Sequence, residues 1–230
     1  MAVFAIGDLH LSFARPKPME VFGDSWIRHA EKIADNWKAV VGDKDTVLIP
    51  GDISWALRMD DADVDLKFIR GLPGNKILSR GNHDYWWGSA SGLNSRYAGM
   101  HFLQNEHVGC NGIAVCASRG WIIPEDEKFT AEDMKIYKRE LIRCRLSLDS
   151  ALFKGYKEIL FMMHYPPAYS WAPETGFTKL FEEYQVKNVV YGHLHGEKNF
   201  GAGITGYNKG INYTLVSSDY INFCPKKIID

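Results

Sequence analysis

Nine polar side chains suited to metal binding or proton transfer stand where apolar, strand-like runs end. They are Asp8 and His10, Asp52, Asn82, His83 and Asp84, His164, and His193 and His195. Five of the eight histidines are among them. Carboxylates, imidazoles and one amide oxygen, with no thiolate, form a borderline-to-hard donor set. It suits Mn2+, Fe or Zn2+ better than Cu(I) or an iron–sulfur cluster. Without His83 and Asp84, the remaining donors still exceed what one tetrahedral zinc takes. They suffice for two ions if one carboxylate is shared. Asp8 and His10 are two apart, as are His193 and His195, and residues two apart in extended chain project to one side. Glycine precedes Asp8, Asp52, Asn82 and His193, which permits tight turns at each. The centre of the pattern is Gly81-Asn82-His83-Asp84. Its amide oxygen can bind a metal, its imidazole can carry a proton and its carboxylate can orient the imidazole.

These side chains need strands to deliver them. Val3 to Ile6 reads as a first strand running into Gly7-Asp8-Leu9-His10. A helix capped by Asp24 or Ser25 is expected next, with Trp26, Ala30, Ile33, Trp37 and Val40 on one face. Thr46 to Ile49 reads as a second strand ending at Gly51-Asp52. The helix after it starts among Asp60, Asp61 and Asp63, acids that suit the positive end of a helix dipole, and buries Ala62, Leu66 and Ile69. Lys76-Ile77-Leu78 leads into Gly81. This alternation of strand and helix is the pattern of a parallel sheet with helices packed on it. Beyond Tyr85 it loosens. His101-Phe102-Leu103 and Ile113–Cys116 read as short strands of a second sheet. Thr130 and Asp133 form a capping box for a helix striped by Met134, Tyr137, Leu141, Cys144, Leu148 and Leu152. Ile159–Met163 ends at His164, and a short helix carries Phe177, Leu180, Phe181 and Tyr184. Val189-Val190-Tyr191 ends at His193, and Tyr213–Val216 returns to the core.

The chain of 230 residues is read as a single domain. Its 46% hydrophobic and 24% charged residues match a soluble globular protein. A net charge of −1 supplies no global field toward nucleic acid or an anionic membrane. No apolar run is long enough to span a bilayer, and Met1–Ile6 reads as the first strand rather than a signal peptide. Cys110, Cys116, Cys144 and Cys224 lack zinc-type spacing and are expected to be free thiols in a cytoplasmic protein.

The ordered set Asp8-x-His10, Gly51-Asp52, Gly81-Asn82-His83-Asp84, His164 and Gly192-His193-x-His195 resembles the calcineurin-like metallophosphoesterases, and the blocks span most of the chain. The resemblance implies an α/β fold of two packed mixed β-sheets flanked by helices, an αββα sandwich, with a dinuclear centre at the strand ends. Carried over by position, it makes Asp8, His10, Asp52 and His195 the ligands of one metal. Asp52, Asn82, His164 and His193 are those of the other, with Asp52 bridging. His83 is the catalytic histidine and Asp84 its partner. The implied cofactors are two divalent ions, Mn2+, Fe or Zn2+.

The implied activity is that of a hydrolase, a phosphatase or phosphodiesterase cleaving a phosphate mono- or diester by attack of a metal-activated hydroxide. Two divalent ions outweigh the charges of Asp8 and Asp52, so the centre attracts a phosphate oxyanion and can clamp it during in-line attack. The expected partner is a phosphorylated small molecule, without extended nucleic-acid binding and without membrane. A nuclease or nucleotide pyrophosphatase is the alternative on the same site. A catalytically inactive scaffold is the third reading, opposed by the filled ligand positions. Arg119, in a Gly-Trp loop, and Asn82 are the expected substrate contacts. Arg15, Lys17 and Arg80 are further candidates for phosphate oxygens, and Trp86 and Trp87 for stacking on a base. Gly51-Asp52 is followed by Ile53-Ser54-Trp55-Ala56 rather than the Asp-Arg-Gly block of the protein Ser/Thr phosphatases. That departure argues against a protein substrate.

Overall fold

Successive strand residues go to two different places. In the first strand Phe4 and Ile6 face helices, whereas Val3 and Ala5 face a second sheet. In the second, Val47 and Ile49 take the helix side and Leu48 the sheet side. This period-2 alternation with both faces apolar is what a sheet buried on both sides demands.

The structure is a computed structural model describing residues 1–230. Its first half lays down β1 (Val3–Ala5), α1 (His29–Val40), β2 (Thr46–Pro50), α2 (Met59–Arg70), β3 (Asn75–Ser79), α3 (Ala90–Arg96) and β4 (Met100–Phe102). Its second half lays down β5 (His107–Cys110), β6 (Ile113–Ser118), α4 (Ala131–Phe153), β7 (Ile159–Met163), α5 (Gly176–Glu183) and β8 (Asn188–Tyr191). Then follow α6 (Glu197–Phe200), β9 (Gly206–Asn208), β10 (Ile211–Leu215) and β11 (Lys226–Ile229). One sheet has the order β11-β1-β2-β3-β4 and the other β5-β6-β7-β8-β10-β9. Strands β1 to β4, and β6, β7, β8 and β10, pair in parallel, with β4 at one edge of the first sheet; β11, β5 and β9 close the other three edges antiparallel. Between the sheets lie small and branched side chains, among them Val3, Ala5, Leu48, Val115, Ala117, Leu160 and Val190. Trp37, Ile33, Leu66 and Ile69 cover the outer face of the first sheet, and Tyr137, Cys144, Leu148, Phe177 and Phe181 that of the second. This is the expected αββα layering.

Three local expectations are corrected. The helix expected from Asp24 or Ser25 begins only at His29. Two 3-10 turns, Glu20–Phe22 and Asp24–Trp26, precede it; Ile27 leaves the helical conformation and Arg28 is left-handed. That break turns Trp26 inward, with its ring 5.9 Å from His10 and 5.5 Å from His195. Met100–Phe102 belongs to the first sheet, not the second, pairing in parallel with β3. Helix α3, capped by the Ser89 hydroxyl, makes the crossover that allows it. The short helix was not evident among the glycines and serines around it. On α4, Tyr137, Cys144 and Leu148 are buried but Leu152 is exposed, as is Val40 at the end of α1. The Thr130–Asp133 capping box forms as expected. All four cysteines are free, and no helix is long and apolar enough to cross a membrane.

Candidate metal centre

The site lies at the carboxyl ends of five parallel strands, where open α/β sheets bind ligands. Asp8 and His10 follow β1, Asp52 follows β2, Asn82 follows β3, His164 follows β7, and His193 and His195 follow β8. Four of these seven residues hold left-handed backbone although none is glycine: Asp8 at φ 56°, His10 at 47°, Asp52 at 49° and His193 at 73°. Such conformations cost on the order of 1 kcal/mol each and persist where the surroundings impose them. Here each sharp reversal turns a side chain back over the sheet ends. Two glycines make room. A Cβ on Gly81 would strike the Asp52 carboxylate, and one on Gly192 would strike that of Asp8.

The side chains converge as two groups. Asp8, His10 and His195 place one donor atom each within 4.8 Å of one another, and so do Asp52, His164 and His193. In the first group His10 Nε2 faces His195 Nε2 at 3.2 Å, and His195 Nε2 lies 3.4 Å from Asp8 Oδ1. In the second, His193 Nδ1 lies 3.2 Å from His164 Nε2, and Asn82 Oδ1 lies 2.7 Å from the same nitrogen. Asp52 Oδ2 stands between the groups, 3.9 Å from His10 Nε2 and 3.4 Å from His164 Nε2. Imidazole nitrogens and carboxylate oxygens aimed at common points are what divalent cations require.

Electrostatics point the same way. Burial lowers the pKa of His10 well below its ordinary value. Burial, reinforced by His164, takes His193 down to about 3. Both rings are therefore neutral, with lone pairs available. Burial opposes charge on His195 too, but Asp8 and Asp219 outweigh it and lift its pKa to about 10. His164 is likewise raised against its own burial, chiefly by Asp52. Burial also works against the charge of Asp52, yet His164, His10 and His83 hold its pKa far below the usual carboxylate range. The nearby carboxylates thus favour positive charge at His195 and His164, and a bound cation would supply that charge in their place. The residues fit a pair of divalent ions.

Residues 1–197 match the family described as calcineurin-like phosphoesterase. The chain belongs to that family. It is 38% identical over 77 residues to the Gene 66 protein of Mycobacterium phage L5, an alignment covering 34% of this chain and 37% of that relative. Among solved structures it resembles the phosphopantetheinyl hydrolase of Mycobacterium tuberculosis, with a TM-score of 0.58 and 14% identity over 99% of this chain and 95% of that one. It also resembles a protein of unknown function from Aquifex aeolicus, with a TM-score of 0.55 and 15% identity over 98% and 95% of the two chains. At these identities the two structures speak for the fold alone.

In this member of the family Asp84 does not hold the His83 ring, contrary to expectation. Its buried carboxylate accepts instead from the amides of Ile53 at 2.9 Å, Ser54 at 3.2 Å and Gly81 at 2.8 Å, and from Trp86 Nε1 at 3.1 Å. The cause is local. The Gly51-Asp52 and Gly81-Asn82 turns bury amides with no strand partner, and an inward carboxylate satisfies them. Asp84 therefore ties one ligand turn to the other. The half-buried His83 ring packs against Trp55, centroids 4.3 Å apart, while its amide donates to Asp52 Oδ1 at 2.8 Å.

Trp86 and Trp87 are 4% exposed and sit in the core beneath the first sheet, so neither is placed to stack on a substrate. The aromatic surface at the centre comes from Trp55, stacked on His10 at 4.7 Å, and from Tyr165, 4.1 Å from His193. Lys17 Nζ lies 3.2 Å over the Trp55 ring, and Arg15 pairs with Asp61. The Arg119 guanidinium lies over Trp121 and 3.9 Å from Glu140. One residue beside the site escaped the sequence reading. Asp219 accepts from His195 Nδ1 at 3.1 Å and from the Gly196 amide at 2.9 Å, fixing which nitrogen of His195 faces the centre. The only signal was its place just after the strand ending near Val216.

Proposed function

We propose that this phosphoesterase hydrolyses a phosphate mono- or diester of a small molecule at a dinuclear centre. Asp8, His10 and His195 hold one ion, Asn82, His164 and His193 the other, and Asp52 is shared. The observation that carries the reading is the position of Asp52 Oδ2, within 4 Å of one imidazole from each group. Bound divalent ions supply Lewis acidity and a nucleophile from water at neutral pH. The chain's own residues do the rest. Asp219 and the Pro50 carbonyl, 3.0 Å from His164 Nδ1, orient the ligating rings. Trp55 supports both His10 and His83 from one side and limits water there. His83, close to the centre but outside both donor groups, is the residue to give a proton to the departing alkoxide.

We read residues 1–230 as one domain, because Val3, Leu48 and Ile77 share a core with Leu160, Met162 and Val190. Four unpaired cysteines support a reducing compartment, the cytoplasm. The deciding experiment is turnover of p-nitrophenyl phosphate and bis(p-nitrophenyl) phosphate by metal-stripped protein reloaded with Mn2+, Fe2+ or Zn2+. Hydrolysis of either ester that depends on added metal is expected. No turnover with any of the three ions would overturn the reading. Faster cleavage of DNA than of either ester would transfer it to a nuclease.

A further inference from the structure

Beside the second ligand group, three guanidiniums line one cleft that holds a single carboxylate. Glu140 of α4 is completely buried; it accepts from Ser118 Oγ at 2.8 Å and from Arg143 at 2.7 Å, with Arg119 at 3.9 Å. Arg80 lines the same cleft, between the ends of β3 and β6. One carboxylate against three guanidiniums leaves a local excess of two positive charges in a chain whose net charge is −1. The buried Nε–H groups of Arg80 and Arg119 both lack a hydrogen-bond partner. So does the amide oxygen of Asn105 on the cleft wall, and that amide turned over would present a donor. Unpartnered buried donors are costly, and they call for an acceptor. Burial and the neighbouring Arg80 and Arg143 charges both press on Arg119, whose pKa is lowered.

The cleft measures about 30 Å3, room for one compact group and not for a ring system. It adjoins the metal centre through the backbone. The Arg119 carbonyl accepts from the amides of His164 and Tyr165 at 3.2 and 3.0 Å. Arg80 precedes Asn82 by two residues, at most about 7 Å of chain.

We propose that this cleft is an oxyanion subsite, and that the preferred substrate carries a second phosphate or carboxylate group besides the ester that is cleaved. Guanidinium N–H groups side by side match the two oxygens of such a group. The proposal rests on the phosphoesterase reading and narrows its substrate class. The scissile phosphate sits at the ions while the second anion docks among Arg80, Arg119 and Arg143. Fixed spacing between the two sites then selects a particular separation of the two anions.

The test compares kcat/KM for an alkyl monophosphate with that for alkanediol bisphosphates of increasing chain length. The metal-loaded protein should favour one chain length by about tenfold or more, the yield of a single charge-assisted hydrogen bond. Arg80→Gln and Arg119→Gln should each collapse that ratio toward one. Arg80 makes no contact with Glu140, so its variant is expected to keep the wild-type melting temperature, which is measured alongside. Turnover of every substrate with a ratio near one would overturn the subsite and leave the phosphoesterase reading intact. Equal preference for all chain lengths, or a preference that survives both variants, would also overturn it, because attraction of dianions to the cationic centre would then suffice. Loss of turnover on all substrates in the wild type would instead refute the parent reading.

Discussion

Asp84→Asn should destabilise the fold and loosen both ligand turns. The wild-type carboxylate is fully buried; one oxygen takes Ile53 N, Ser54 N and Trp86 Nε1, and the other takes Gly81 N. An asparagine can keep its oxygen toward the first three donors. Its amino group then faces the Gly81 amide, two donors against each other. The change loses one charge-assisted bond, about 1.5–3 kcal/mol, and leaves buried donors unsatisfied at about 1–3 kcal/mol. Together this is about 2.5–6 kcal/mol. For a chain of this size each kcal/mol shifts the melting temperature by about 2–4 °C, so the midpoint should fall by roughly 5–24 °C. Because Gly81 leads into Asn82 and Ile53 follows Asp52, metal content should fall as well. Calorimetry and elemental analysis of the purified variant measure both. If Asp84→Asn melts within about 2 °C of wild type, keeps its metals and slows only esters with poor leaving groups, the argument fails. Asp84 would then act through His83 after all.

Other perturbations separate the roles of single residues. Asp52→Asn should lower occupancy of both metal positions together, whereas His10→Ala should mainly empty one; equal loss of both ions in both variants, read by elemental analysis, would refute the shared ligand. His83→Ala should keep metals and fold but lower kcat on alkyl esters by roughly 10²–10⁴, and by less on nitrophenyl esters. An equal loss on both at full metal occupancy would remove the general-acid role. Gly192→Ala places a Cβ against the Asp8 carboxylate, so it should weaken the site holding Asp8, His10 and His195 more than the other. Unchanged affinity at both sites, by metal titration, would contradict the close approach seen here.

The seven donors and their division over strand ends were readable because each lies at or just past the end of a short apolar run, five of them beside a glycine. Chemistry-bearing residues break the hydrophobic pattern visibly, and the strand-helix alternation that delivers them is itself a local signal. The layering followed for the same reason: strands apolar on both faces need cover on both sides. What sequence order could not reveal was where side chains turn once the strands are packed. Asp84 beside His83 suggests a pair, yet the packed turns leave amides unsatisfied and the carboxylate goes to them. Trp86 and Trp87 beside the same motif suggest a stacking surface, but the core takes both. Trp55, with no motif to mark it, lies against His10 and His83 instead. Asp219 reaches His195 across 24 residues, and one cleft gathers Arg80, Arg119 and Arg143 from two sheet ends and a helix around Glu140. Ligand identities are written in local spacing, which the backbone preserves on folding. Their supports, and the arginine cleft beside them, are contacts between distant segments, and only the packing of the two sheets brings those together.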